Sequence, residues 1–97
     1  MINISSLDFS ITESIRNEVQ SMAETIKKHM RGEEKLDITL SKTSPDVFRV
    51  NIQTRFMGED INSHHESHDF HKAMDLCKNH LIKLIDKKKG MKKAKRR

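Results

Sequence analysis

Residues 69–97 read DFHKAMDLCKNHLIKLIDKKKGMKKAKRR. Phe70, Ala73, Met74, Cys77, Leu81, Leu84 and Ile85 recur at three- and four-residue steps. That spacing predicts a helix with one apolar stripe, and the stripe must be buried against another layer. Lys72, Lys83 and Lys87 fall off the stripe and are expected to face water. Beyond Ile85 the composition changes abruptly. Residues 87–97 hold eight of the 19 basic residues and none of the 14 acidic ones, which leaves 11 basic against 14 acidic in the rest. A mildly acidic body with one strongly basic end points to an anionic partner met at that end. Gly90 is expected to end the helix, so the chain divides into a folded domain over 1–89 and a flexible basic tail over 90–97.

Working outward, the 97 residues suffice for one domain with a modest core. The chain has no Trp or Tyr, so four Phe and six Met must fill space that larger rings fill elsewhere. The single cysteine, Cys77, cannot close an internal disulfide and sits on the apolar stripe. It reads as a small buried hydrophobe rather than a nucleophile, and a reducing, cytoplasmic location fits it. No run of apolar residues is long enough to span a membrane, and the N-terminus lacks the apolar core of a signal peptide.

The rest of the chain alternates between two periods. Ile2 and Ile4 alternate with Asn3 and Ser5, which predicts a strand over 1–5. Leu7 and Phe9 lie in the connection that follows and are expected to tuck under the first helix. Thr12 is a good N-cap, and Ile15, Val19, Met22, Ile26 and Met30 form the apolar stripe of that helix. Lys27, Lys28, His29 and Arg31 suit the negative end of its dipole, and Gly32 is expected to stop it. Leu36, Ile38 and Leu40 then alternate with Asp37, Thr39 and Ser41. A turn over Thr43, Ser44, Pro45 and Asp46 leads to a long alternation of Phe48, Val50, Ile52, Thr54 and Phe56 with Arg49, Asn51, Gln53 and Arg55. Met57 to Asp60 turns the chain back into a short polar edge strand near 60–66, and Ser67 or Asp69 caps the last helix. The order is β-α-β-β-β-α. A right-handed crossover makes the first two strands parallel, and each strand has one apolar face. The expected fold is α+β: a two-layer sandwich with both helices on one side of a four-stranded mixed sheet.

In this order and spacing the chain resembles the short ribosome hibernation promoting factor family, which includes the ribosome-associated inhibitor YfiA. Ile2-Asn3-Ile4 and Ile11-Thr12-Glu13-Ser14-Ile15-Arg16 resemble that family's first strand and its Ile-Thr-Glu-Ala-Leu-Arg helix start. Gly58-Glu59-Asp60-Ile61-Asn62-Ser63 resembles its Gly-Gly-Glu-Ile-His-Ala hairpin. Asp69-Phe70-His71-Lys72-Ala73-Met74-Asp75 resembles its Asp-Met-Tyr-Ala-Ala-Ile-Asp, and Leu81, Lys83, Lys87 and Lys89 continue the match. Departures are His71 for a tyrosine, His80 for a lysine and Leu84 for a glutamine. The resemblance implies a fold related to double-stranded RNA-binding domains. It also implies docking on the small ribosomal subunit through 16S rRNA, with occlusion of mRNA and tRNA sites under stress or in stationary phase.

The residues expected to contact rRNA are Lys72, Lys78, His80, Lys83, Lys87, Lys88, Lys89, Lys92 and Lys93, with Arg16 and Lys27 on the first helix flanking the same groove. Lys95, Arg96 and Arg97 extend that charge. With no aromatic residue interleaved, recognition of RNA shape and backbone fits better than base stacking. A plain solvated run is the bland alternative, and a general double-stranded RNA binder is the functional one. Arg49 and Arg55 read as an ordinary solvated sheet face, which Asp37 and Glu66 share. His64, His65, His68 and His71 raise a third reading, a metal-binding module. Alternation sends His64 and His65 to opposite sheet faces, however, and no cysteine lies near to close a site, so they read as surface imidazoles whose protonation tunes RNA affinity below neutral pH. No catalytic constellation, metal site or cofactor is expected, the free protein is expected to be monomeric, and neither a membrane nor enzymatic chemistry enters the reading.

Overall fold

A computed structural model describes residues 2–7, 10–30 and 35–94, with side chains through Lys88. The elements run β1 (Ile2–Leu7), α1 (Glu13–His29), β2 (Leu36–Ser44), β3 (Val47–Phe56), β4 (Glu59–Ser67) and α2 (Phe70–Ala94). The four strands form one sheet in the order β1-β2-β3-β4. β1 and β2 are parallel and the other two pairs antiparallel, which is the expected α+β topology.

Alternation decides which face is buried. Leu36, Ile38, Leu40, Val50, Ile52, Phe56 and Ile61 point to one side and meet Val19, Met22, Ala23 and Ile26 of α1 and Ala73, Cys77, Leu81 and Ile85 of α2. The opposite face is a polar ladder. Asn3 donates to Asp37 at 3.0 Å, Asn62 donates to Asn51 at 3.0 Å, and Arg49 lies 3.9 Å from Glu66. The two buried polar side chains of the inner face are satisfied by backbone carbonyls. The Thr54 hydroxyl donates to Lys35 O at 2.7 Å and the Ser63 hydroxyl to Cys77 O at 3.2 Å.

Local chemistry sets the helix starts. Thr12 Oγ1 accepts from Ile15 N at 3.2 Å at the head of α1. Asp69 Oδ1 accepts from His71 N at 2.9 Å at the head of α2, while Ser67 Oγ accepts from Asp69 N. Asp69 is therefore the cap of α2, and Ser67 orders the residue that caps.

Four expectations change. β1 continues to Leu7, whose side chain is 63% exposed rather than tucked under α1, because the parallel register with β2 extends to Leu7 and Ser41. β4 spans nine residues and pairs with β3 from Phe48–Ser67 to Phe56–Glu59, so its polar composition does not shorten it. α1 ends at His29 with Met30 in an extended conformation, where Met30 N bonds to Lys27 O. The backbone of α2 passes through Gly90 to Ala94. A mid-helix glycine costs only about 1 kcal/mol relative to alanine, too little to force a break by itself. Phe9, Arg31, Gly32, Lys95, Arg96 and Arg97 lie outside the described residues, as do the side chains of Lys89, Lys92 and Lys93.

The β3–β4 hairpin closes through two residues, Met57 (φ 54°) and Gly58 (φ 80°). Two positive φ values match the turn type whose twist suits a two-residue hairpin, and that type favours Asn-Gly. Gly58 meets nothing within 4 Å at its missing Cβ, so conformation and not space demands it. Met57 carries a left-handed penalty of roughly 1–2 kcal/mol. Met57→Asn is expected to stabilise the protein by about 1 kcal/mol and raise the melting temperature by roughly 4–8 °C, read by thermal denaturation. An unchanged or lower midpoint would contradict the strain assignment.

A candidate RNA-binding flank on the last helix

The buried stripe of α2 fixes how the helix is rotated, and rotation sorts its cations. Lys83 and Lys72 are eleven residues apart, about 20° round the helix, and Lys87 lies about 40° from Lys83. All three are exposed and lie on one flank with His80 and the 42%-exposed Leu76. No ion pair involves Lys72, Lys83 or Lys87 among the described residues. Lys87 borders a shallow depression with Asp60, Ile61 and Asn62, which places this flank on the β4 side of the helix.

The opposite flank of α2 faces α1. His71 Nδ1 lies 2.8 Å from Glu18 Oε2, and His29 Nδ1 lies 3.4 Å from Asp86 Oδ1. The helices therefore run parallel, with starts and ends matched. Lys78 lies in the groove between them, 4.0 Å from Asp75, in company with Glu18 and Thr25. It is about 140° round the helix from Lys83 and does not share its flank. Lys88 is paired with Glu59 at the start of β4 and is half-buried.

Arg16 and Lys27 do not flank the α2 surface either. Glu18 and Thr25 face α2, and residues two positions away lie roughly 160° round the helix. The exposed Arg16 and half-buried Lys27 thus share the side of α1 turned away from α2. The expected residues with described side chains resolve into a flank of three lysines joined by His80, two lysines engaged with carboxylates, and two α1 residues on a separate side.

The histidines scatter. His64 lies on the open face beside Asn62 at 3.4 Å, His68 Nδ1 meets Asp46 O at 3.0 Å, and His71 meets Glu18. His65 turns inward and packs edge-on against His80, with ring centroids 5.4 Å apart. No group of three or more His, Cys, Asp or Glu among the described residues could hold a metal ion. No helix in the described residues is long and apolar enough to cross a membrane.

The seam between β4 and α2 was not legible in the sequence. Ser63 Oγ lies 2.9 Å from His80 Nδ1, and Cys77 Sγ lies 3.1 Å from Ser63 O. The alternation that puts Ser63 inward was visible, but nothing in the order of residues names its partners on a helix 14 and 17 positions away. Burial pushes the Cys77 thiol up to about 11, a rise partly offset by the Ser63 hydroxyl and the Ile52 backbone. Burial also lowers the His65 pKa, with the facing His80 and then His64 adding to the effect.

The scaffold is of the α+β two-layer class with β-α-β-β-β-α topology, shaped like a double-stranded RNA-binding domain, and it presents an exposed row of lysines on its last helix. The chain is a member of the family described as sigma 54 modulation protein / S30EA ribosomal protein, whose model matches residues 2–93. At family level it is a ribosome-associated protein of the hibernation-factor kind. Its fold recurs among solved structures. The N-terminal domain of Protein Y from Thermus thermophilus matches with a TM-score of 0.78 at 21% identity, covering 88% of this chain and 93% of that one. A ribosomal subunit interface protein from Coxiella burnetii matches with a TM-score of 0.74 at 22% identity, covering 92% and 97%. No curated protein matches the sequence.

Two outcomes test this geometry. Native protein is expected to resist iodoacetamide at pH 8, with Cys77 alkylated only after denaturation; rapid native labelling read by mass spectrometry would contradict the buried, protonated thiol. His65 binds its proton less readily folded than unfolded, so its contribution to stability is present above about pH 6.5 and is lost as pH falls through the depressed folded value. Denaturant midpoints should drop between pH 7 and pH 5, and His65→Gln should flatten that drop; an equal drop in the variant would refute the assignment.

Proposed function

We propose that the protein is a translation inhibitor that docks on the small ribosomal subunit through 16S rRNA and sterically blocks mRNA and tRNA sites, acting under stress or in stationary phase. The observation that carries the reading is the unpaired Lys72, Lys83 and Lys87 flank of α2, presented by a scaffold of this family. Flexible lysines that release counterions from phosphates supply affinity without reading sequence. The polar sheet face pairs its own charges, Arg49 with Glu66, and offers less to a polyanion. Lys88 joins the contact at the cost of its pair with Glu59, and Lys78 at the cost of Asp75. Lys89, Lys92, Lys93 and the basic residues after them extend the same grip along the RNA backbone, and the free protein acts as a monomer. Inhibition is by occupancy and needs no bond-making step.

Three phosphate contacts would give a log–log salt slope of roughly −2 to −3, steeper if the tail engages. Lys83→Glu combined with Lys87→Glu is expected to abolish co-sedimentation with small subunits at moderate salt while the circular dichroism spectrum is kept. Co-sedimentation undiminished in the double variant would overturn the reading. A general double-stranded RNA binder would use the same flank, and bulk duplex RNA competing as well as small subunits would favour it.

A further inference from the structure

The Ser63 hydroxyl has a single proton. It lies 3.2 Å from Cys77 O, a backbone carbonyl that can only accept, and 2.9 Å from His80 Nδ1. Both contacts are satisfied together only if the hydroxyl donates to the carbonyl and His80 Nδ1–H donates to the hydroxyl oxygen. That fixes the tautomer of His80, and Nε2 is left as its basic nitrogen. A proton taken up there leaves the Ser63 bond intact and turns the ring into a cation with a second donor.

The ring stands where such a cation matters. His80 is exposed, one turn before Lys83 and two before Lys87 on the same flank. Its titratable and charged neighbours are Lys83, one turn further along the same flank of the helix, and His65 of β4, 5.4 Å away, with His64 on the far face of that strand; Val50 of β3, opposite His65, is uncharged. The acids are placed elsewhere. Asp75 and Asp86 lie toward α1, Glu18 is engaged by His71, Glu59 is held by Lys88, and Asp60 sits beside Lys87. No carboxylate is paired with His80 among the described residues. His65 is half-buried, and its Nε2 is enclosed without a hydrogen-bond partner among the described residues, so of the two rings His80 is the one open to solvent.

We propose that His80 is a proton-gated contact for RNA phosphate, positioned by Ser63 and restrained by His65, so that mild acidity adds a charge to the lysine flank of α2. The proposal rests on the RNA-binding reading above and adds its regulation. A phosphate beside Nε2 favours the protonated ring over the neutral one, so binding and protonation reinforce each other.

The test measures affinity for purified small ribosomal subunits at fixed salt, at pH 7.5 and pH 5.8, with each protein read as the ratio of its two values. Wild type is expected to bind roughly three- to tenfold tighter at the lower pH. His80→Gln should bring that ratio near one whatever its absolute affinity, and His80→Lys should bind without pH dependence. His65→Gln should move the midpoint of the wild-type rise to higher pH. As a second readout, the imidazole Cε1–H resonance of His80 should titrate at higher pH when RNA is present. A wild-type ratio near one, or an unchanged ratio in His80→Gln, overturns the proposal while leaving the ribosome-binding reading in place. Binding unaffected by the double Lys83→Glu, Lys87→Glu change overturns that reading, and the proposal falls with it.

Discussion

The contact on which the molecule depends is the packing of α2 across the inner face of β3 and β4. Ala73, Cys77, Leu81 and Ile85 are fully buried there, against Val50, Ile52 and their neighbours. Each fully buried aliphatic side chain is worth roughly 1.5–3 kcal/mol, a large share of the margin available to a domain of this size. The same contact sets the rotation of the helix. Turning α2 by one residue would move every lysine by about 100°, and the core forbids it. Core packing and surface charge are therefore two faces of one constraint: the stripe that must be dry decides which cations are wet.

Small side chains make the close approach possible. Ala73 and Cys77 bring the helix backbone near the sheet, near enough for Ser63 Oγ to reach Cys77 O. That bond ties β4, an edge strand rich in polar residues, to the third turn of the helix. The edge is covered on its inner side by α2 and made polar on its outer side by Asn62, His64 and Glu66, which discourages pairing with another chain. The parallel arrangement of the two helices follows from the same topology. Each helix returns antiparallel to the strand before it, β1 and β4 run the same way, and His71 meets Glu18 at one end while His29 meets Asp86 at the other.

How much was legible follows from the range of each interaction. Strand alternation and helix stripes are local, so the element order, the parallel pair, the inner-facing residues and the α2 core were all readable. The ends of elements were less so. Leu7 looked like core because it is apolar, yet in a strand that continues to position 7 it falls in phase with Asn3 and Ser5 on the open face. Gly90 looked like a stop because glycine often is one, yet its cost is small against a helix already propagating. The site was legible as charge but not as a surface. A run of lysines in sequence gives no hint that Lys88 meets Glu59 or that Lys78 turns into the groove beside Asp75. Those partners arrive from distant strands and from the phase of the helix, which only the folded core specifies.

The division of the lysines has a consequence for how an anion would be met. A cation paired with a carboxylate must lose that partner before it serves a phosphate, while an exposed, unpaired one gives up only water. Lys72, Lys83 and Lys87 are of the second kind, and they rise along one side of the helix over fifteen residues, roughly 22 Å. That is a long, straight line of charge on a rigid support, suited to the regular phosphate spacing of folded RNA and poorly suited to a compact anion. The α1 cations are turned away from this line and cannot bend around to join it while the core is intact. An anion that drew on both sets at once would have to reach two sides of the sandwich, because the phase of α1 that buries Val19, Met22 and Ile26 also sends Arg16 and Lys27 to the side away from α2.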